Sequence, residues 1–235
     1  MRILGIESSS LVASVAIVED GVTMAEYTAN FKKTHSQTLL PMIDAMVSLL
    51  DVDISTIDAI AVSGGPGSFT GLRIGSATAK GLGLALNKPL IHVPTLDGTA
   101  YNMFGASGLI CPIMDARRNQ VYTGIYRFEK EFQVVMEQDA LDMNDLIDKL
   151  NAMGERVIFL GDGVPVHEKL ICEKMTVPFA FAPAHVNRQR AASVAALGAV
   201  YLAEGKTETA AEHGPDYLRK SQAEREREEK ETAGK

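Results

Sequence analysis

Residues 58–93 read DAIAVSGGPGSFTGLRIGSATAKGLGLALNKPLIHV, and the way this stretch divides into elements decides the fold. DAIAVS (58–63) is a short apolar strand, and the run Gly64-Gly65-Pro66-Gly67-Ser68-Phe69-Thr70-Gly71 turns out of it. A helix then runs to about Leu86, and Pro89 to Val93 returns as the next strand. Upstream, Arg2 to Ser8, Val12 to Glu19 and Val22 to Asn30 read as strands, the last two joined at Asp20-Gly21, a strong hairpin signal. Between them and residue 58, His35 to Leu50 carries apolar residues at 39, 42, 43, 46, 49 and 50, the period of an amphipathic helix. Pro41 leaves two starts open. With Thr38 as N-cap it falls in the first turn, where its missing N–H is not needed; with a start at His35 a kink is expected.

Three strands, helix, strand, helix, strand is the order of a ribonuclease-H-like unit, antiparallel at its start and parallel afterwards. From about Gly105 the order repeats. Leu109 to Asp115, Gln120 to Phe128 and Phe132 to Glu137 read as strands, Asp142 to Met153 as a helix and Arg156 to Leu160 as a strand. Arg188 to Glu204 is an apolar helix, and the run QAEREREEKETAGK has i,i+4 charge pairs such as Glu226 with Lys230, a solvated helix or tail. The predicted organisation is an N-terminal lobe over 1–104, a C-terminal lobe over 105–220 and a charged segment over 221–235.

At 235 residues, with 46% hydrophobic and 23% charged residues, the chain can bury a sizeable core and is neither disordered nor membrane-embedded in composition. A net charge of −7 argues against a self-sufficient nucleic-acid surface, which needs clustered Lys and Arg. Cys111 and Cys172 lie in unlike contexts and build no disulfide framework or metal pair. With no signal-peptide pattern and no apolar run of membrane-spanning length, a cytoplasmic location is expected.

The Gly-rich loop fails both common nucleotide patterns. Gly71 is followed by Leu72-Arg73 where a P-loop needs Lys then Ser or Thr, and Thr70 stands where the dinucleotide fingerprint after Gly65-x-Gly67 needs glycine. A structural turn and an anion- or nucleotide-binding loop at Gly65, Gly67 and Ser68 both fit what remains. Gly71, Gly75, Ala79 and Gly83 make a small-residue stripe, packed either on the chain's own sheet or on a partner helix. The histidines, at 35, 92, 167, 185 and 213, include no helical metal pair, so no metal is expected. Cys111 beside Pro112 reads as a buried thiol. Glu7, Asp97, Asp115 and Asp162 are the acids that could work on phosphate or metal; Glu7 and Asp115 end equivalent strands, which fits facing positions across a cleft and, for either alone, equally an ordinary capping or turn role.

HSQTLLP (35–41), SGGPGSFTGLRIG (63–75) with AKGLGLA (79–85), VPTLDGTA (93–100), PIMDARRNQVY (112–122), GDG (161–163) and PDYLRKSQAE (215–224) resemble, in that order, the TsaB or YeaZ family. The resemblance implies an α/β actin-like ATPase (ASKHA) fold of two ribonuclease-H-like lobes with mixed sheets flanked by helices. It also implies a non-catalytic partner of TsaD, the subunit that forms N6-threonylcarbamoyladenosine in tRNAs reading codons that start with A, with the ATPase TsaE joining them. The implied interface uses helices 35–50 and 71–86, hence His35, Leu39, Met42, Ile43, Met46, Gly71, Arg73, Gly75, Ala79 and Gly83. A bulky Gly75→Leu then abolishes pairing and spares the fold, and the chain alone forms an isologous homodimer. Thr95-Leu96-Asp97-Gly98-Thr99 stands where TsaD-like proteins carry an HxxxH metal motif, and neutral hydroxyls are poor ligands for iron or zinc. Glu7 within GIESSS departs from the Asp common in the family. No catalytic residue, cofactor or metal is assigned, and tRNA is reached only through the complex, with Arg117-Arg118 and Lys32-Lys33 as contacts. The alternative is an actin-like nucleotide-binding ATPase or phosphotransferase, or the superfamily's metallopeptidase label, for which no nucleophile with its base is visible.

Overall fold

The computed structural model describes residues 1–31 and 34–219. Lys32, Lys33 and the charged segment 221–235 lie outside the described residues. β1 (Arg2–Glu7), β2 (Val12–Glu19) and β3 (Val22–Asn30) form an antiparallel meander. Asp20 and Gly21, with φ of 48° and 81°, make the tight turn that the Asp-Gly pair foretells. After α1 (His35–Leu50), β4 (Ala59–Gly65) joins β1 in parallel, and α2 (Phe69–Leu86) crosses over to β5 (Leu90–Pro94), parallel to β4. The first sheet is therefore ordered β3-β2-β1-β4-β5.

α3 (Thr95–Tyr101) leads to β6 (Leu109–Asp115), β7 (Gln120–Phe128) and β8 (Phe132–Asp142), again an antiparallel meander. α4 (Met143–Met153), β9 (Val157–Leu160), α5 (Val164–Lys174) and β10 (Phe179–Phe181) follow. The second sheet runs β10-β9-β6-β7-β8, with β9 parallel to both β6 and β10. Taken from the other edge, this is the order and sense of the first sheet, so the duplicated α/β architecture holds. The short elements α3, α5 and β10, and a single 3-10 turn at Ile54–Thr56, have no counterpart in the sequence reading, since each is too brief or too irregular for a hydrophobic period to register.

α6 (Ala191–Ala203) lies in the second half of the sequence but covers the first sheet, where Val194, Ala195 and Leu197 pack with Ile3, Ala61, Ile91 and Val93. Gly5 makes this possible, because a Cβ there would overlap the Ala191 carbonyl oxygen. The opposite face of the same sheet is covered by α1 and α2, through Leu4, Ile6, Val15, Ile17, Leu39, Ile43, Met46 and Ala79. A sheet covered on both faces explains why β1 and β4 read as continuous apolar runs rather than alternating ones. α1 starts at His35, so Pro41 lies within the helix. Pro41 and Gln37, whose carbonyl loses its i+4 donor, are both exposed, so water can satisfy that oxygen.

Candidate functional site

Between the two sheets lies a cavity of about 680 Å³, walled by Ser9, Ser10, Gly67 and Ser68 from the first and by Asp115, Arg117 and Asp162 from the second, with Tyr217 and Arg219 beside it. The Gly-rich loop reaches this wall but spends its donors at home. Gly65 N–H donates to Thr95 Oγ1 at 3.1 Å, Ser68 N–H to the Ser9 carbonyl at 2.6 Å and Gly71 N–H to Ser68 Oγ at 3.3 Å, where Ser68 caps α2. A Cβ on Gly67 would overlap the Ser9 carbonyl oxygen, and Gly65, at φ +124°, lies under the Asp216 carbonyl. The loop is pressed so close to its own chain that only glycine fits.

The acids divide. Glu7 does not face Asp115: it is 1% exposed and turned inward, accepting from Ser9 N–H and Ser9 Oγ at 2.6 Å each and from Ser63 Oγ. Burial pushes its carboxyl up, and the Ser63 and Ser9 hydrogen bonds oppose that shift. The cleft-facing pair is instead Asp115 and Asp162. Burial also raises Asp162, against the amide of Gln189 at 3.3 Å. Asp97 is buried beneath two hydroxyl donors, Tyr126 at 2.8 Å and Tyr201 at 3.2 Å, which tie α3 to β7 and α6. Arg117 and Arg118 lie on the β6–β7 turn at φ of 64° and 55°, an uncommon conformation for residues other than glycine.

Away from the cavity, the structure brings together two histidines that the sequence holds far apart. His92 on β5 and His213 lie with ring centroids 5.7 Å apart, beside Glu208. Spacing along the chain gave no sign of this cluster. Burial holds His213 below its ordinary value, while its contact with Glu208 works in the other direction.

A sequence model of the family described as TsaD: tRNA N6-adenosine threonylcarbamoyltransferase matches residues 23–227. The chain is 34% identical over 228 residues to the tRNA threonylcarbamoyladenosine biosynthesis protein TsaB of Bacillus subtilis, covering 95% of this chain and 96% of that one. The TsaB protein of Escherichia coli is 31% identical over the same shares of the two chains. The chain belongs to the TsaB family. The solved structure of YeaZ from Pseudomonas aeruginosa superimposes with a TM-score of 0.79 at 27% identity, over 92% of this chain and 99% of that one. The ADPNP-bound activator of 2-hydroxyisocaproyl-CoA dehydratase from Clostridium difficile, at TM-score 0.51 and 9% identity, shares the fold alone.

Within this TsaB-family chain, the position matched to the HxxxH motif is structural in its contacts. Thr95 and Thr99 are 0% and 1% exposed; Thr95 Oγ1 accepts from Gly65, and Thr99 Oγ1 donates to the Thr95 carbonyl at 2.7 Å. The small-residue stripe faces inward, onto the chain's own first sheet. Ala79 is fully buried, a Cβ on Gly71 or Gly75 would overlap Ser8, and one on Gly83 would come within 2.9 Å of Leu90 Cδ2. On α1, Leu39, Ile43 and Met46 are core as well, while His35 and Met42 are half-buried. His35 Nε2 lies 2.9 Å from the Ser10 carbonyl oxygen. Of the ten assigned interface residues only Arg73 is exposed, its guanidinium 4.6 Å from the Phe69 ring centre. A second side of α2, which the stripe drew attention away from, is the free one. Its exposed positions are Thr70, Arg73, Ala77, Gly81, Leu84 and Ala85, with Leu84 72% exposed and nothing within 4 Å of a Cβ on Gly81.

Proposed function

We propose that the chain is a non-catalytic accessory subunit that docks on a TsaD-type tRNA N6-adenosine threonylcarbamoyltransferase, with TsaE as a further member, in forming N6-threonylcarbamoyladenosine on tRNA. The observation that carries this reading is the exposed side of α2, which over Thr70–Ala85 holds a single charge, Arg73. A surface helix ordinarily turns its charged residues to water. A face with one charge and open space at Gly81 is shaped for the close approach of another helix. α1, packed beside it, adds Ala45 and Leu49, the latter 69% exposed. In the absence of the transferase the same face serves a second copy of the chain. Arg117 and Arg118 add to a composite tRNA surface of the complex.

The test is Gly81→Arg, which has room in the free chain and none in a packed interface. Size-exclusion chromatography with the same organism's TsaD is expected to show a heterodimer with the wild-type chain and none with the variant. Threonylcarbamoyladenosine, measured by mass spectrometry in a reconstituted reaction with TsaC, TsaD and TsaE, is expected to depend on this chain and to fall with Gly81→Arg. Pairing that survives the substitution places the interface elsewhere, and product that forms equally without the chain removes the accessory role. The inter-lobe cavity, within the size range of small-ligand sites, favours nucleotide binding as a second reading. Calorimetry with ATP separates the two.

A further inference from the structure

We propose that His92, Glu208 and His213 form a binding site for a single divalent transition-metal ion, with zinc the ion their donors fit, and that it fastens the segment after α6 to the edge of the first sheet. Three separate pieces of backbone build the site. β5 supplies His92. Glu208 is held opposite Leu90 by a two-way backbone bridge, Leu90 N–H to the Glu208 carbonyl at 2.9 Å and Glu208 N–H to the Leu90 carbonyl at 2.8 Å. A turn closed by His213 N–H on the Thr209 carbonyl at 3.1 Å then brings His213 back over β5. The result places one ligand atom from each of the three side chains within 4.8 Å of the others.

The hydrogen bonding of the two rings points to a ligand. His213 is 2% exposed, and its Nδ1 lies 3.0 Å from Glu208 Oε2. Its Nε2 is buried and, among the described residues, makes no hydrogen bond, whereas His92 Nε2, also buried, faces the Asp216 carboxylate without hydrogen-bond geometry. An orphaned ring nitrogen on a side chain buried as deeply as His213 is unusual, because a buried nitrogen that neither gives nor receives a hydrogen bond costs free energy. A metal ion would use that lone pair. Imidazole with carboxylate is a zinc donor set. Asp216 Oδ2, 3.2 Å from His92 Nε2, is in place as a fourth donor. The neighbouring cation, Lys80, is engaged elsewhere, its Nζ donating to the His213 carbonyl at 2.8 Å. A tetrahedral zinc with bonds of about 2.0–2.1 Å needs ligand atoms about 3.3 Å apart. Glu208 and Asp216, with side chains 36% and 64% exposed, have the freedom to close that difference, while His213 is fixed.

The role that follows is a clasp. Asp216 N–H donates to the Gly64 carbonyl at 2.6 Å, and residues 216–219 go on to line the inter-lobe cavity. An ion at His92 and His213 therefore secures that wall at the edge of the Gly-rich loop.

The experiment uses the full chain, stripped with a chelator and titrated with zinc chloride by calorimetry, then with cobalt chloride for the visible absorption of a four-coordinate ion. One equivalent of zinc is expected to bind and to raise the melting temperature. His213→Gln and Glu208→Gln are each expected to weaken binding at least about tenfold and to remove the thermal shift, while Cys172→Ser leaves both unchanged. Glu208 is partly exposed, so its variant decides the matter where His213→Gln fails to fold. A wild-type chain that binds no zinc overturns the proposal. So does zinc binding that survives both Glu208→Gln and His92→Gln.

Discussion

Gly75 and Gly81 lie on one helix, and alanine at the two positions is expected to move stability in opposite directions. Each substitution gains the same intrinsic helix preference, about 1 kcal/mol. At Gly81 a Cβ meets nothing within 4 Å, so the gain stands. At Gly75 the Cβ overlaps Ser8 Oγ and comes within 3.8 Å of Val62 Cγ2. Ser8 is 1% exposed, and its hydroxyl donates to the Gly71 carbonyl at 2.9 Å. Turning that hydroxyl away leaves a buried polar group unsatisfied at about 1–3 kcal/mol, and the extra methyl in a filled site costs about 1–3 kcal/mol more. Less the helix gain, Gly75→Ala is expected to lose at least about 1 kcal/mol. In a chain of this size each kcal/mol moves the melting temperature by about 2–4 °C. Gly81→Ala is then expected to melt about 2–4 °C above wild type, and Gly75→Ala at least about 2 °C below it. Urea unfolding followed by circular dichroism gives the two free energies, and thermal melts check them. A Gly75→Ala variant as stable as wild type would refute the inward orientation of the small-residue stripe. On the same reasoning Gly75→Leu abolishes pairing by damaging the first sheet, so loss of association in that variant says nothing about an interface.

Two further outcomes follow from buried titratable groups. Burial holds Asp97 above the ordinary carboxylate value against its Tyr126 and Tyr201 donors, so the native state keeps a proton that the unfolded chain has lost. Its contribution to stability therefore declines as pH rises from the unfolded value through the folded one. Tyr126→Phe removes the stronger donor and is expected to cost about 0.5–3 kcal/mol, with a further upward move of the Asp97 titration read by carboxyl NMR; an unmoved titration would show that the bond has little hold on the carboxylate. Burial pushes the Cys111 thiol up to about 12, whereas Cys172 is exposed. Iodoacetamide is expected to modify Cys172 alone in the native chain, and mass spectrometry finding Cys111 labelled without denaturant would contradict the buried placement.

Local chemistry made the elements legible. The Asp20-Gly21 turn, the periodicity of 35–50 and the strand, glycine-rich turn and helix of 58–86 depend on neighbours within a few residues, and the repeated order of elements after residue 105 carried the duplicated architecture with it. Contacts between distant segments were beyond that reach. The sequence shows that α2 has a small-residue side, but whether this side meets water or a sheet depends on where the chain leaving β1 places Ser8. Likewise Glu7 ends a strand in sequence, yet only its place beside Ser63 on β4 turns the carboxylate away from the cleft. Thr95–Tyr101, too short to display a period, becomes a helix because β4, β6, β7 and α6 surround it. His92, Glu208 and His213 gather because the chain after α6 returns to pair with Leu90. Periodicity and turn chemistry fix which residues form an element, whereas the face that an element buries is settled by long-range packing alone.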